Sequence, residues 1–272
     1  MPQLDELSFK SHNSDASTTI VLLHGFFACH LEWEYVVPHL SKYHLLVPDL
    51  PGHSGSRQIQ PLTLALAADK TADVIRNHAR NGRAHVVGLS LGGFVAMELT
   101  RRHPHLVLSA FASGATPFTD WQLWAARRPS LMHWGVWFAQ ASGIMRVSAW
   151  ATGLQFSAQL LREMSDNNTH DLVDSGFSSL AAWTREDAEL LAASGRRVLF
   201  VAGGQGDNID GTRELGETLR KLGQEEGKES AAFVVQGATH GWDLQFPELF
   251  ADGIKSWVEG KPLPSKFENL LV

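Results

Sequence analysis

Ala84-His85-Val86-Val87-Gly88-Leu89-Ser90-Leu91-Gly92-Gly93 is the stretch on which the reading of the whole chain turns. A short run suited to a buried strand leads into Gly-Leu-Ser-Leu-Gly, and a helical pattern from Leu91 to His103, stopped by Pro104, follows at once. A serine lifted between strand and helix sits on a sharp, strained turn. Side chains two residues to either side would strike neighbouring backbone there, so both flanks call for glycine. The helix start adds positive potential and a free N–H, that of Leu91, where negative charge develops on an attacked carbonyl oxygen. The segment predicts a nucleophilic Ser90.

Outward from this turn, strand-like runs alternate with helix-like ones. Thr19 to Leu23 is an aliphatic run ending at His24-Gly25-Phe26-Phe27, and reads as a strand buried on both faces. Its following loop offers the Phe26 N–H as a second oxyanion donor, with His24 as scaffold. Leu45 to Val47, Leu106 to Phe111, Arg197 to Ala202 and Ala231 to Val235 are further strands, the last two closing the sheet. Helical segments are expected over Trp33 to Leu40, Leu64 to Asn81, Thr212 to Leu222 and Pro247 to Val258. The alternation predicts an α/β fold with a mostly parallel central sheet flanked by helices. From Thr116 to Ala193 the strand pattern gives way to helical spacing, and six of the nine tryptophans lie there. The expected organisation is therefore a core of residues 1–115 and 194–272 with a helical cap, 116–193, inserted at the carboxyl ends of the strands, where ligands bind in such sheets. Gly223 to Lys228 reads as a solvated loop.

A serine hydroxyl needs an imidazole base held by a carboxylate. Among thirteen histidines, His240 stands out, because Gly237-Ala238-Thr239-His240-Gly241 follows the last expected strand and precedes the closing helix. Gly203-Gly204-Gln205-Gly206-Asp207 follows the preceding strand, so Asp207 reaches the same edge. Asp210, three residues on, is an alternative acid, and Asp120 a remoter one. Substrate-pocket candidates are Phe27 and Trp33, near the oxyanion loop, with Trp121 and Trp124 in the insertion. An aromatic pair three residues apart also reads as packing within the cap.

Val21 to Phe26, Asp49 to Ser56, Val87 to Gly93 and Gly237 to His240 together resemble the motifs of the α/β-hydrolase superfamily, over nearly the whole chain from about Thr19 to Gly260. The resemblance implies a Ser90–Asp207–His240 triad and an oxyanion hole from the Phe26 and Leu91 amides, with Asp49 structural. Serine at position 90 argues against the family's dehalogenases and epoxide hydrolases, which use aspartate. In two places the chain departs from the family pattern: the part before Thr19 is short for a complete opening hairpin, and no proline follows Asp207 directly.

Composition limits the alternatives. Of the 272 residues, 44% are hydrophobic and 19% charged, enough to bury a core. The net charge of −6 comes without a basic run, so nucleic acid is not an expected partner. A single cysteine, Cys29, rules out an intrachain disulfide or a thiolate-rich metal site. The opening Met-Pro-Gln-Leu-Asp-Glu lacks a leader pattern, and no apolar run reaches the ~18 residues of a membrane span. The expectation is a cytoplasmic hydrolase of a small molecule, without cofactor or metal and without integral membrane association. It would cleave an ester, lactone or thioester of a medium-sized apolar substrate through an acyl-enzyme. Hydrolysis of a carbon–carbon bond beside a ketone and a non-catalytic receptor role are the alternatives.

Overall fold

The computed structural model describes residues 6–223 and 229–271. Most of the opening hexapeptide, and the Gly223 to Lys228 loop beyond its first residue, lie outside the described residues.

Eight strands form one sheet: β1 (Phe9–His12), β2 (Thr19–Leu23), β3 (His44–Pro48), β4 (Ala84–Leu89), β5 (Val107–Ser113), β6 (Val198–Gln205), β7 (Ala231–Thr239) and β8 (Phe267–Asn269). Their spatial order is β1-β3-β2-β4-β5-β6-β7-β8, parallel from β3 to β7 and antiparallel at both ends. The two antiparallel edges were not expected. Phe-Lys-Ser-His and Phe-Glu-Asn bury little and carry no apolar pattern, so their strand form comes from hydrogen bonding to a preformed edge. The sheet thus closes on β8, one strand beyond the expected last one.

The central strands bury both faces, and successive residues alternate sides. Val21 and Leu23 face the cluster that includes Ile75 from α1 (Leu64–His78), Leu99 from α2 (Leu91–Arg102) and, further along the chain, Leu215 from the helix over Ile209–Leu222. Ile20 and Leu22 face Trp33, Leu40, Phe250 and Ile254. Trp33 to Leu40, expected as a helix, is instead two short 3-10 turns, His30–Trp33 and Val37–Leu40. Pro38 in the middle of that stretch lacks an N–H for a continuous helix.

Between β5 and β6 run six helices: α3 (Asp120–Ala126), α4 (Pro129–Ala141), α5 (Ile144–Thr152), α6 (Ala158–Asn167), α7 (His170–Ala181) and α8 (Arg185–Ala192). Leu172, Leu180, Trp183 and Leu191 join the main core, which ties α7 and α8 to the sheet domain. After β6 come α9 (Ile209–Leu222), then α10 (Trp242–Gln245) and α11 (Pro247–Glu259).

The chain leaves β2 for β3 on one side and returns as β4 on the other, so the loops after β2 and β4 meet at the carboxyl edge where the sheet changes direction. Leu23 pairs with Gly88 in register. The following turn then presses onto β2 so closely that a β-carbon on Gly92 would lie 2.0 Å from the Leu23 carbonyl oxygen. One on Gly88 would lie 2.0 Å from the Gly92 oxygen. Gly92→Ala should therefore destabilise the fold by about 3 kcal/mol, whereas Gly135→Ala in α4, with open space around it, should gain up to ~1 kcal/mol from helix propensity. Urea unfolding of the two variants checks this contrast, and equal stabilities would contradict it.

Candidate active site

Ser90 sits on the turn between β4 and α2 with φ 54° and ψ −116°, a left-handed conformation rare for a side-chain-bearing residue. Such strain costs roughly 1–3 kcal/mol and persists because the surroundings impose it. Its N–H donates to the Ser113 carbonyl at 2.8 Å, and its own carbonyl accepts from the Phe94 N–H at 3.1 Å.

Gln205 pairs with Thr239 where β6 and β7 end, so Asp207 and His240 emerge side by side. His240 Nδ1–H donates to Asp207 Oδ1 at 2.6 Å, while Asp207 Oδ2 accepts from the Gly203 N–H at 2.7 Å. The Asp207 side chain is only 6% exposed and that of His240 is 49% exposed, so a buried acid holds an accessible imidazole. Asp210 points elsewhere: it is 84% exposed in the first turn of α9 and ion-paired with Arg213. Asp120 is exposed at the start of α3. Gly114 links the two halves of the site. It follows the carbonyl that holds Ser90, and a β-carbon on it would lie 2.6 Å from His240 Cε1. Partial desolvation of the ring works to lower the His240 pKa, yet the hydrogen bond and charge of Asp207, with the charge of Asp243 added, hold it above the ordinary imidazole value.

Among the described residues the N–H groups of Phe26 and Leu91 have no hydrogen-bond partner, as donors awaiting an oxyanion would. The loop that carries Phe26 is clamped from three sides. The Gly25 N–H donates to Glu32 Oε2 at 2.6 Å, and the Phe27 N–H donates to His53 Nε2 at 3.3 Å. The Phe27 carbonyl accepts from Asn167 Nδ2 at 2.8 Å. Phe27 is thereby held at φ 68°. His24 and His53 each accept a backbone N–H on Nε2 and donate Nδ1–H to a carbonyl, so both are neutral. Burial pushes their pKa values down to about 4 and about 3. His24 is scaffold, as its place in the sequence suggests.

Residues 18–136 match the family model of the alpha/beta hydrolase fold. An AB hydrolase superfamily protein of Gibberella zeae is 35% identical over 262 residues, covering 96% of this chain and 86% of that protein. The chain belongs to the α/β-hydrolase family. A pimeloyl-[acyl-carrier protein] methyl ester esterase of Neisseria meningitidis serogroup A is 31% identical to this hydrolase over 264 residues, 90% of this chain and 78% of that one. The structure of a thermophilic esterase from Thermogutta terrifontis shares the fold at a TM-score of 0.69 and 20% identity, over 93% of each chain.

Three features of the hydrolase's site carry no sequence motif. Asn167, from α6, is fully buried and also accepts the Ser54 N–H on Oδ1 at 2.8 Å, so one inserted residue ties two loops of the sheet domain together. A cavity of about 750 Å³ lies among α4, α5 and α6, walled by Trp137, Met145, Trp150, Leu154, Phe156 and Leu161. Leu154 also packs toward Gly241, next to His240, and the Gln155 N–H donates to the Leu244 carbonyl at 3.1 Å, so the cavity abuts the histidine loop.

None of the four expected pocket residues is among those around this cavity. Trp33 has no exposed surface and packs on Phe250 with ring centroids 5.5 Å apart in the core, which removes it from contact with substrate. Trp121 and Trp124 stack on each other at the outer surface of α3. Phe27 is buried against Phe26.

Among the described residues, a group of three donors capable of holding a metal comes together in Cys29, His30 and Asp49, within 4.8 Å of one another. Asp49 is already engaged there: Oδ1 accepts the His30 N–H and ring N–H, and Oδ2 accepts the Gly55 N–H. Burial pushes the Cys29 thiol up to about 12. The group acts as a brace between loops, consistent with a structural Asp49.

The third feature is a buried carboxyl pair behind His240. Asp243 lies in the first turn of α10 with its side chain wholly inside and no hydrogen bond of good geometry among the described residues. Burial raises its pKa, against the pull of the amides at the start of α10 and of the His240 ring. Glu32 is raised too, by burial first and the charge of Asp243 second. A carboxyl raised by folding contributes stability that is fully present below its unfolded pKa and is lost as pH rises through the folded one. Asp243→Asn should therefore gain stability relative to the unmodified protein as pH climbs from about 4 to neutrality, by at most about 1.4 kcal/mol per pH unit. Denaturant unfolding across that range measures the difference. A gap that stays constant with pH would contradict the assignment.

Proposed function

We propose that this hydrolase cleaves carboxylic esters, lactones or thioesters of a medium-sized, mostly apolar molecule through an acyl-enzyme. The observation that carries the reading is the Asp207–His240 hydrogen bond at the sheet edge that also bears the strained Ser90. Ser90 Oγ attacks the carbonyl carbon and gives its proton to His240 Nε2. The oxyanion accepts hydrogen bonds from the Phe26 and Leu91 amides, and as the bond to the leaving group breaks, His240 returns the proton to that group. Water, deprotonated by His240, then attacks the acyl-enzyme, releasing the acid and restoring Ser90. Asp207 keeps the imidazole in the tautomer that leaves Nε2 free as acceptor.

The apolar cavity beside the histidine loop suits an acyl or alkyl chain, and the Neisseria relative's name, a methyl ester esterase, points to the same class of bond. The free amides and the oriented imidazole weigh against a purely binding role. The same reading assigns the inserted helices as a substrate-enclosing cap, and a buried thiol suits a cytoplasmic setting.

With aryl esters of increasing acyl length, Ser90→Ala and His240→Ala should each lower kcat by about four orders of magnitude or more while leaving the fold intact. Asp207→Asn should lose roughly as much, and Asp210→Asn less than threefold. Equal losses at the two aspartates would move the acid. Because the base must be neutral, kcat/KM should rise with pH through an ionisation lying above the ordinary imidazole value. An ionisation below that value would contradict the role given to Asp207. Turnover of a ketone with a scissile carbon–carbon bond in place of every ester would favour the alternative chemistry.

A further inference from the structure

Helix α4 is turned the wrong way for a soluble protein. Ser130, His133 and Gln140 face the molecule: Ser130 Oγ lies 3.0 Å from His170 Nε2, His133 Nδ1–H donates to Asn168 Oδ1 at 3.1 Å, and Gln140 Nε2 donates to the Met164 carbonyl at 3.3 Å. Its apolar residues face outward, and none of its side chains is buried. Trp134 is 60% exposed, Phe138 59%, Leu131 54% and Trp137 50%, while α5 adds Val147 at 67% and Trp150 at 85%. A surface helix ordinarily buries its apolar stripe. Contiguous exposed apolar surface of this kind marks an interaction site.

Charge points to the occupant. Along α3, α4 and α5 and the turns between them the sequence carries Arg127, Arg128 and Arg146 against a single acid, Asp120 at the start of α3, in a chain whose net charge is −6. Arg127 and Arg128 are exposed and have no acidic partner among the described residues, and the Arg128 guanidinium lies 4.2 Å from the centroid of the exposed Trp124 ring. A second copy docked face to face would set these cations against each other. An anionic bilayer instead supplies both an apolar depth for indole and phenyl rings and negative headgroups for the arginines.

We propose that the outer face of α3, α4 and α5 docks on the surface of anionic lipid membranes as a peripheral, non-spanning contact. No helix among the described residues is long and apolar enough to cross a membrane, so the contact is one of lying on the surface. Trp137 and Trp150 belong both to this face and to the wall of the 750 Å³ cavity, so docking sets the cavity against the acyl boundary. Delivery of a lipid-borne acyl chain to His240 by this route rests on the acyl-transfer reading above, whereas the docking itself does not.

Co-sedimentation with large unilamellar vesicles tests the docking without reference to catalysis. Vesicles of phosphatidylcholine with phosphatidylglycerol should retain the protein at least tenfold better than phosphatidylcholine alone, and salt should weaken the retention. Leu131→Ser/Trp134→Ser/Phe138→Ser should reduce partitioning at least tenfold while circular dichroism and hydrolysis of a soluble ester stay unchanged. Arg127→Glu/Arg128→Glu should abolish the preference for anionic lipid. No retention of the folded protein on anionic vesicles would overturn the proposal, as would retention indifferent to the triple substitution. A concentration-dependent dimer in ultracentrifugation that the same triple substitution dissolves, without vesicle binding, would assign the face to a second copy instead.

Discussion

The backbone of Gly92 meets the Leu23 carbonyl so closely that no β-carbon fits between them, and the site is arranged around that contact. It brings the start of α2 against the end of β2, which sets the Leu91 amide beside the loop that carries the Phe26 amide. It also forces Ser90 into its left-handed conformation, because the chain must leave β4 and enter α2 within one residue. Strain at Ser90 is offset by ordinary packing on both faces of the sheet, so a small set of backbone contacts at the edge depends on a large apolar core beneath it.

Electrostatics around His240 follow from where the sheet ends. Asp207 arrives by the register between β6 and β7, is nearly buried, and makes a short charged hydrogen bond to the ring. Asp243 arrives because α10 begins two residues after the histidine, and Glu32 because the first 3-10 turn folds back over Gly25. One carboxylate orients the ring by direct contact. Asp243 adds to this through its charge without touching the ring, while burial raises its own pKa and that of Glu32 above those of exposed acids. An imidazole held above its ordinary pKa is a stronger base, while its lone pair is available over a narrower range of pH.

Much of this was legible in the chain because backbone requirements leave marks in sequence. Glycines at 88 and 92, a histidine after the last parallel strand and an aspartate after the one before it are demanded by turn geometry and proton transfer, which few residue types satisfy. Asp207 and Asp210 were separable only with coordinates, since both follow β6 and only the β6–β7 register turns one of them toward His240. The edge strands, the Asn167 latch and the cavity left no local pattern, because each depends on segments far apart in the chain. Trp33 shows the opposite error: proximity to the oxyanion loop in sequence suggested the pocket, but a 3-10 turn carries its ring to the far face of the sheet, against Phe250. The inserted tryptophans read equally as cap packing or pocket wall, and among them Trp183 is packed inside while Trp121, Trp124, Trp134, Trp137 and Trp150 are largely exposed.

The central claim is that the fold turns Ser90 into an activated nucleophile. Intact-mass spectrometry after exposure to a fluorophosphonate tests it most directly, because the reagent reacts with a serine only when a base and an oxyanion site act on it together. The expected result is a single adduct on Ser90, absent in Ser90→Ala and strongly slowed in His240→Ala. A folded protein that stays unlabelled, or one labelled equally well without Ser90, would contradict the account.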